Sequence, residues 1–131
     1  PTLPEKTLIR DITLPIHYRI NCVMDRVSQT EKDTSIVCVV VRGNLTQKTV
    51  HDLRIAVSGA NPAPKRFLSL EDMISEKAFT VTLINDAAKL VKDECEAVTD
   101  FRGSAEYRTE MAETLVRRAL LTLRKKSATR K

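Results

Sequence analysis

The sequence predicts an α+β fold, a three-stranded antiparallel sheet packed against about three helices. Three observations point there. β-Branched runs come first in the chain, helical periodicity comes last, and a Pro-rich bend separates the two halves. The 131 residues suit one compact domain. Apolar residues make up 42% and aromatics only 4%, with no Trp, so the core must rest on Val, Ile, Leu and Ala.

Taken in order, Lys6–Ile16 (KTLIRDITLPI) alternates imperfectly through Leu8, Ile9, Ile12 and Leu14 and reads as a first strand ending at Pro15. Thr34–Arg42 (TSIVCVVVR) is the strongest strand, apolar on both faces like a central strand. Gly43-Asn44 supplies a turn, and Val50–Ser58 returns with Leu53, Ile55 and Val57 on one face, which predicts a hairpin. In Gly59–Pro64 the ring constraints of Pro62 and Pro64 break the sheet pattern. Ser69, followed by Glu71 and Asp72, is a candidate helix start. Thr82–Ala97 has a 3.6-residue apolar stripe of Ile84, Ala87, Ala88, Val91 and Cys95. The last helix has Ser104 as N-cap and a stripe of Ala112, Leu115, Val116, Ala119, Leu120 and Leu123. Its acids lie early and its bases late, complementing the helix dipole, and Glu113→Arg117 is a favourable i,i+4 pair.

Charge and composition narrow the function classes. The net charge is +5, yet seven basic residues fall in Val116–Lys131, and the remainder has 15 basic against 17 acidic residues. A basic tail without stacking aromatics or a reader motif does not suggest nucleic-acid binding. No apolar run reaches the ~20 residues of a membrane span, and no charged-then-apolar leader opens the chain. Cys22, Cys38 and Cys95 are too far apart for a zinc or iron–sulfur motif, and their odd, sparse count suggests a reducing, cytoplasmic setting. Cys38 and Cys95 read as small buried hydrophobes. His17 and His51 flank no ligand pattern, and His51-Asp52 reads as a solvated pair. With only Gly43, Gly59 and Gly103, no dinucleotide fingerprint or P-loop can be written. G-x-S-x-G is also absent, and no self-contained catalytic or metal-ligating set emerges.

Two segments carry a family resemblance. Leu53–Arg66 (LRIAVSGANPAPKR) is similar to R-I-A-x-G-x-x-A-x-x-P-x-R, with Ser58 where Gly is more usual. Asp100–Leu120 (DFRGSAEYRTEMAETLVRRAL) resembles D-x-R-G-S-A-x-Y-R followed by a helix containing L-x-x-R-A-L, matching at Asp100, Arg102, Gly103, Ser104, Ala105, Tyr107, Arg108, Leu115, Arg118, Ala119 and Leu120. Read for itself, this second segment is a helix entry. Asp100 or Ser104 can take the first N–H groups, Gly103 permits a tight approach, and Arg102 and Arg108 can tie the entry to carbonyls or carboxylates. The other use of Arg102, Tyr107 or Arg108 is to face a partner subunit. Together the segments resemble the C-terminal domain of the FAD-binding, or medium, subunit of the carbon monoxide dehydrogenase and xanthine dehydrogenase family of molybdenum hydroxylases, from about Lys6 to Leu123.

That resemblance implies residues 1–16 as the end of a preceding flavin domain or a linker strand. Residues 17–126 become the C-terminal-like domain, and 127–131 a disordered basic tail. FAD belongs to the complete subunit, gripped mainly by N-terminal FAD-binding domains, so this chain alone is expected not to hold it stoichiometrically. The other implied partners are an iron–sulfur subunit and a molybdopterin subunit. The domain would close over part of the flavin and support contacts for electron transfer, without being catalytic in isolation. An interaction module of the same fold without redox activity is the alternative. In the flavin-bordering stretch, the family's Lys position holds Asp25 and its Arg position Gln29, while Asp33 is retained and Arg26 and Lys32 are adjacent cations. Arg26, Gln29, Lys32 and Asp33 are therefore the candidate cofactor-side residues, and Asp25–Lys32 is expected to be exposed and mobile in the isolated domain.

Overall fold

The computed structural model describes residues 4–13, 20–46 and 48–128. Four strands, β1 (Asn21–Val27), β2 (Val37–Thr46), β3 (Thr49–Ser58) and β4 (Lys65–Arg66), pair antiparallel in the order β1-β2-β3-β4. Three helices follow, α1 (Leu68–Ile74), α2 (Val81–Glu94) and α3 (Ala105–Ala128). The antiparallel α+β architecture is the one expected, with a two-residue fourth strand added.

The first strand is not where alternation placed it. Residues 4–13 make no strand, and Leu8 is 88% exposed; Leu14, Pro15 and Ile16 lie outside the described residues. Instead β1 is NCVMDRV, whose register runs from Asn21↔Gly43 to Val27↔Val37. Its polar residues obscured it, since only Val23 is fully buried and Asp25 is satisfied from across the domain by Arg118 of α3.

The hairpin also closes later than Gly43-Asn44. β2 continues through both residues to Thr46, with a register irregularity between Arg42 and Asn44. Gly43 is there because α3 crosses it. A Cβ would lie 2.9 Å from Val50 Cγ2 and 3.3 Å from Leu123 Cδ2, so the small residue allows a close sheet–helix approach rather than a turn.

The helices cover one face of the sheet. Val37, Val39 and Val41 of β2, Leu53, Ile55 and Val57 of β3 and the whole expected α3 stripe are buried in one core, with α3 lying over β1 and β2 and α1 over β3. Cys38 and Val40, on the other side of β2, are half-buried, so the central strand is covered on one side only. Across that open face Asp52 accepts from Arg42 (2.6 Å) and Arg54 (2.7 Å). His51 is exposed and shares a 3.1 Å hydrogen bond with the Thr49 hydroxyl.

Helix starts differ in chemistry from the expectation. Ser69 is not a cap: α1 begins one residue earlier, after Phe67, without a side-chain cap. The Ser69 hydroxyl donates to the Glu94 carboxylate instead. Glu71 is buried because it accepts from the Ile55 backbone N–H (2.8 Å) and from Arg66, welding α1 to β3 and β4. Thr80 caps α2 through Leu83 N at 3.2 Å. That helix stops at Glu94, short of Ala97, and Lys65 Nζ takes the Glu94 carbonyl at 2.8 Å, placing a cation at the dipole's negative end. Ser104 does cap α3, accepting from Tyr107 N at 3.2 Å, and Arg117 pairs with Glu113 as expected. The α3 backbone runs through Ala128, and residues 129–131 lie outside the described residues.

Candidate functional site

Arg108 organises one end of the domain. It is 4% exposed, and all three of its guanidinium nitrogens donate to three chain segments. Nη1 donates to the carbonyls of Ile36 and Gly59, each at 2.9 Å; Nε donates to Gly103 O at 3.3 Å; Nη2 donates to the Asp100 carboxylate. The planar fork of Arg makes this possible where an ammonium could not. The start of β2, the end of β3 and the lead-in to α3 are thus fixed to one another. Arg108 is a positioning residue, too deep to face a partner.

Asp100 completes the clamp. It accepts from Arg102 N at 2.8 Å and from the Arg102 guanidinium at 3.1–3.3 Å. Asp100 and Gly103 exchange backbone hydrogen bonds at 3.1 and 3.2 Å, making a tight four-residue turn. The Arg102 N–H, then the Arg108 and Arg102 side chains, hold the Asp100 carboxyl down to about 2. Gly59, at φ +86°, backs directly on Ile36 O, which would lie 2.1 Å from a Cβ; only glycine permits that approach.

Beside this clamp lies the β1–β2 connection. Arg26 does not project from it as a free cation. Its guanidinium turns inward and donates to Asp33 O (3.2 Å) and Glu31 O. Ser28 Oγ bonds Thr30 O at 2.7 Å, Asp33 N bonds Thr30 O at 3.3 Å, and Ile36 N closes the loop on Val27 O at 2.8 Å. Of the segment Asp25–Lys32, expected to be exposed, Asp25–Val27 belong to β1 and Asp25, Val27 and Ser28 are half-buried, whereas Gln29–Lys32 are exposed; the loop is also internally hydrogen-bonded. Gln29 and Asp33 border a recess of about 250 Å³ with Thr34, Ile36, Phe101 and Arg102. Lys32 stands exposed on the loop and does not line this recess. A second recess, about 340 Å³, lies on the other side of Thr34 and Arg102 against Ser58, Pro62, Pro64 and Val98.

The four candidate residues therefore sit on the end of β1 and the loop that follows it, with different roles: Arg26, in β1, braces the loop, Gln29 and Asp33 face the recess, and Lys32 faces solvent. Sequence reasoning missed Phe101, the variable position of D-x-R, which is 91% exposed with Arg102 packed over its ring at 5.3 Å. A large apolar residue between two polar ones, outside any periodic element, was the available signal.

No catalytic constellation accompanies the recess. Among the described residues no group of His, Cys, Asp and Glu could hold a metal ion, and no helix is long and apolar enough to cross a membrane. Burial pushes the Cys38 thiol up and the Cys95 thiol up to about 11, as small hydrophobes require. Cys95 is the C-cap of α2 and half-buried rather than a helical core residue.

Similarity to known proteins agrees with this geometry. The carbon monoxide dehydrogenase medium chain of Hydrogenophaga pseudoflava is 36% identical over 83 residues, 63% of this chain and 29% of the relative. The glyceraldehyde dehydrogenase medium chain of Sulfolobus acidocaldarius is 25% identical over 112 residues, 86% of this chain and 40% of the relative. The chain thus spans well under half the length of either. Among solved structures, a Hydrogenophaga pseudoflava carbon monoxide dehydrogenase lacking the Mo-pyranopterin moiety matches at a TM-score of 0.76 and 28% identity, covering 81% of this chain and 37% of that one. Quinoline 2-oxidoreductase from Pseudomonas putida 86 shares the fold, at a TM-score of 0.73 and 18% identity, covering 79% and 36%. A family model described as the CO dehydrogenase flavoprotein C-terminal domain matches residues 24–123, from the middle of β1 to the last buried leucine of α3, and the chain belongs to that family.

Proposed function

We propose that this domain works within an FAD-binding subunit of a molybdenum hydroxylase. There it closes over part of the flavin and supports the subunit contacts through which electrons pass from iron–sulfur clusters to FAD and on to an acceptor. The observation that carries the reading is the pre-formed β1–β2 loop. Its sequence position is that of the flavin-bordering stretch, and its side chains Gln29 and Asp33 open onto a recess held by the Asp100–Arg108 clamp.

The residues fit a partial contact with FAD and not a complete site. A pyrophosphate needs backbone N–H groups presented on a Gly-rich turn or helix N-terminus. Here Gly43 is packed under Leu123, Gly59 against Ile36 O, and Gly103 against Tyr107, so each serves the fold. Gln29 and Asp33 would border the ring system, and Lys32 would place a cation near it. Bound FAD supplies the redox chemistry; this chain supplies a rigid wall and positive charge that favours an anionic reduced ring.

The test is charge reversal in the assembled flavoprotein subunit. Lys32→Glu should lower the flavin midpoint potential, and Arg26→Glu should also weaken flavin retention by loosening the loop. Unchanged potential and affinity in both variants would make the loop a mere connection.

A further inference from the structure

We propose that the turn Asp100–Gly103 is the second wall of a ring-binding recess, with Phe101 as the stacking residue for a flat heteroaromatic ring carrying an amide or imide edge. The inference deepens the flavoprotein reading and rests on it, because it assigns to the same site residues outside the β1–β2 loop.

Four observations carry it. Phe101 is almost wholly exposed, although an aromatic gains most from burial and needs a reason to stay in solvent at a fixed position. The position is fixed: two backbone hydrogen bonds close the turn, Asp100 caps Arg102 N, and Arg108 ties Asp100 and Gly103 to Ile36 at the other side of the recess. The recess is lined by Phe101 and by residues of complementary polarity, and although Arg102 packs over the Phe101 ring at 5.3 Å, the residue stays 91% exposed. Arg102 offers N–H donors, Asp33 carboxylate acceptors and Gln29 both, the set that an amide or imide edge requires. Finally, both walls are built before any ligand arrives, so binding costs little reorganisation. A ring lying on Phe101 would direct its carbonyl to Arg102 and its N–H to Asp33.

Two rings have this chemistry, the isoalloxazine of a flavin and the nicotinamide of a pyridine nucleotide acceptor. The experiment separates them. The 131-residue chain, labelled with ¹⁵N, is titrated with riboflavin 5′-phosphate and, separately, with nicotinamide mononucleotide. The expected result is saturable shift changes at the amides of Gln29, Asp33, Phe101 and Arg102 with one or both probes. Phe101→Leu, which keeps an apolar side chain but removes the ring, should weaken the responding probe about three- to tenfold, and Phe101→Tyr should restore it. A response to riboflavin 5′-phosphate alone assigns the recess to flavin, and a response to nicotinamide mononucleotide alone assigns it to the acceptor. Absence of saturable changes at these four residues with both probes overturns the proposal, as does equal affinity in Phe101→Leu. The exposed position of Phe101 keeps these variants folded. Since no partner chain takes part, the titration can fail while assembly into a flavoprotein subunit succeeds, and the reverse.

Discussion

Replacing Arg108 by Met should be among the most damaging single changes in the domain. The substitution keeps length and apolar stem but removes every hydrogen bond that the Arg108 guanidinium donates. Ile36 O and Gly59 O lose a charged donor at 2.9 Å, and Gly103 O loses one at 3.3 Å. Leaving a buried carbonyl without its partner costs about 1–3 kcal/mol, and the ion pair adds less than a fully buried one would, because the Asp100 side chain is 32% exposed. These terms are not additive, and Asp100 keeps the Arg102 N–H and guanidinium, so the ion-pair loss is softened. The expected cost is about 3–4 kcal/mol, a large part of the ~5–15 kcal/mol that holds a domain folded. Urea unfolding followed by far-UV circular dichroism measures it directly, as a lower midpoint at unchanged slope. Arg108→Lys should recover less than half the loss, because an ammonium cannot reach four acceptors in a planar fork. A cost below about 1 kcal/mol for Arg108→Met, or full recovery by Lys, would refute the clamp as an organising element.

Further outcomes follow from the same geometry. Asp100 has a folded pKa near 2, below its unfolded value of about 3.9, so its contribution is present above pH 4 and is lost as pH falls towards 2. In acid titrations, the stability difference between the native chain and Asp100→Asn should therefore shrink across that window. Gly59→Ala should cost about 3 kcal/mol or more by chemical denaturation, because its φ of +86° and the 2.1 Å approach to Ile36 O leave no room for a Cβ. Glu71→Ala should cost about 2–4 kcal/mol in the same assay, since it orphans the buried Ile55 N–H and unpairs Arg66. With a thiol-specific chromogenic reagent at pH 8, exposed Cys22 should react first and Cys95, at about 11, last.

How much of this was legible in the sequence depends on whether local pattern and tertiary packing agree. The α3 stripe was readable because every apolar position repeats at 3.6 residues and the cap, Ser104, stands next to it. β2 and β3 were readable from β-branched content. β1 was not, because its Asp25 is paid for by Arg118 far along the chain, and no local pattern announces that pair. Gly43 looked like a turn because glycine often marks one; only the crossing of Leu123 shows it to be a packing site. The Asp100–Arg108 motif was legible as a helix entry, whereas its reach to Ile36 O and Gly59 O was not, since those carbonyls are 72 and 49 residues away. For the candidate site, the structure places Gln29 and Asp33 of the loop beside a recess, and the sequence left the roles of its residues unsorted. Arg26 was expected as a cofactor-side cation, but its guanidinium donates to the backbone carbonyls of Glu31 and Asp33 in the adjoining loop. Phe101 carried no periodic signal at all.

The most direct test of the central reading is flavin content with and without this domain. The flavin-binding remainder of a medium chain is produced alone, then together with the 131-residue chain, and FAD is quantified per assembled subunit along with its dissociation rate. The reading predicts no stoichiometric FAD on this chain alone, a stable one-to-one assembly with the remainder, and slower FAD release from the assembly than from the remainder. Equal release rates in a well-formed assembly, or stoichiometric FAD on the isolated chain, would contradict it.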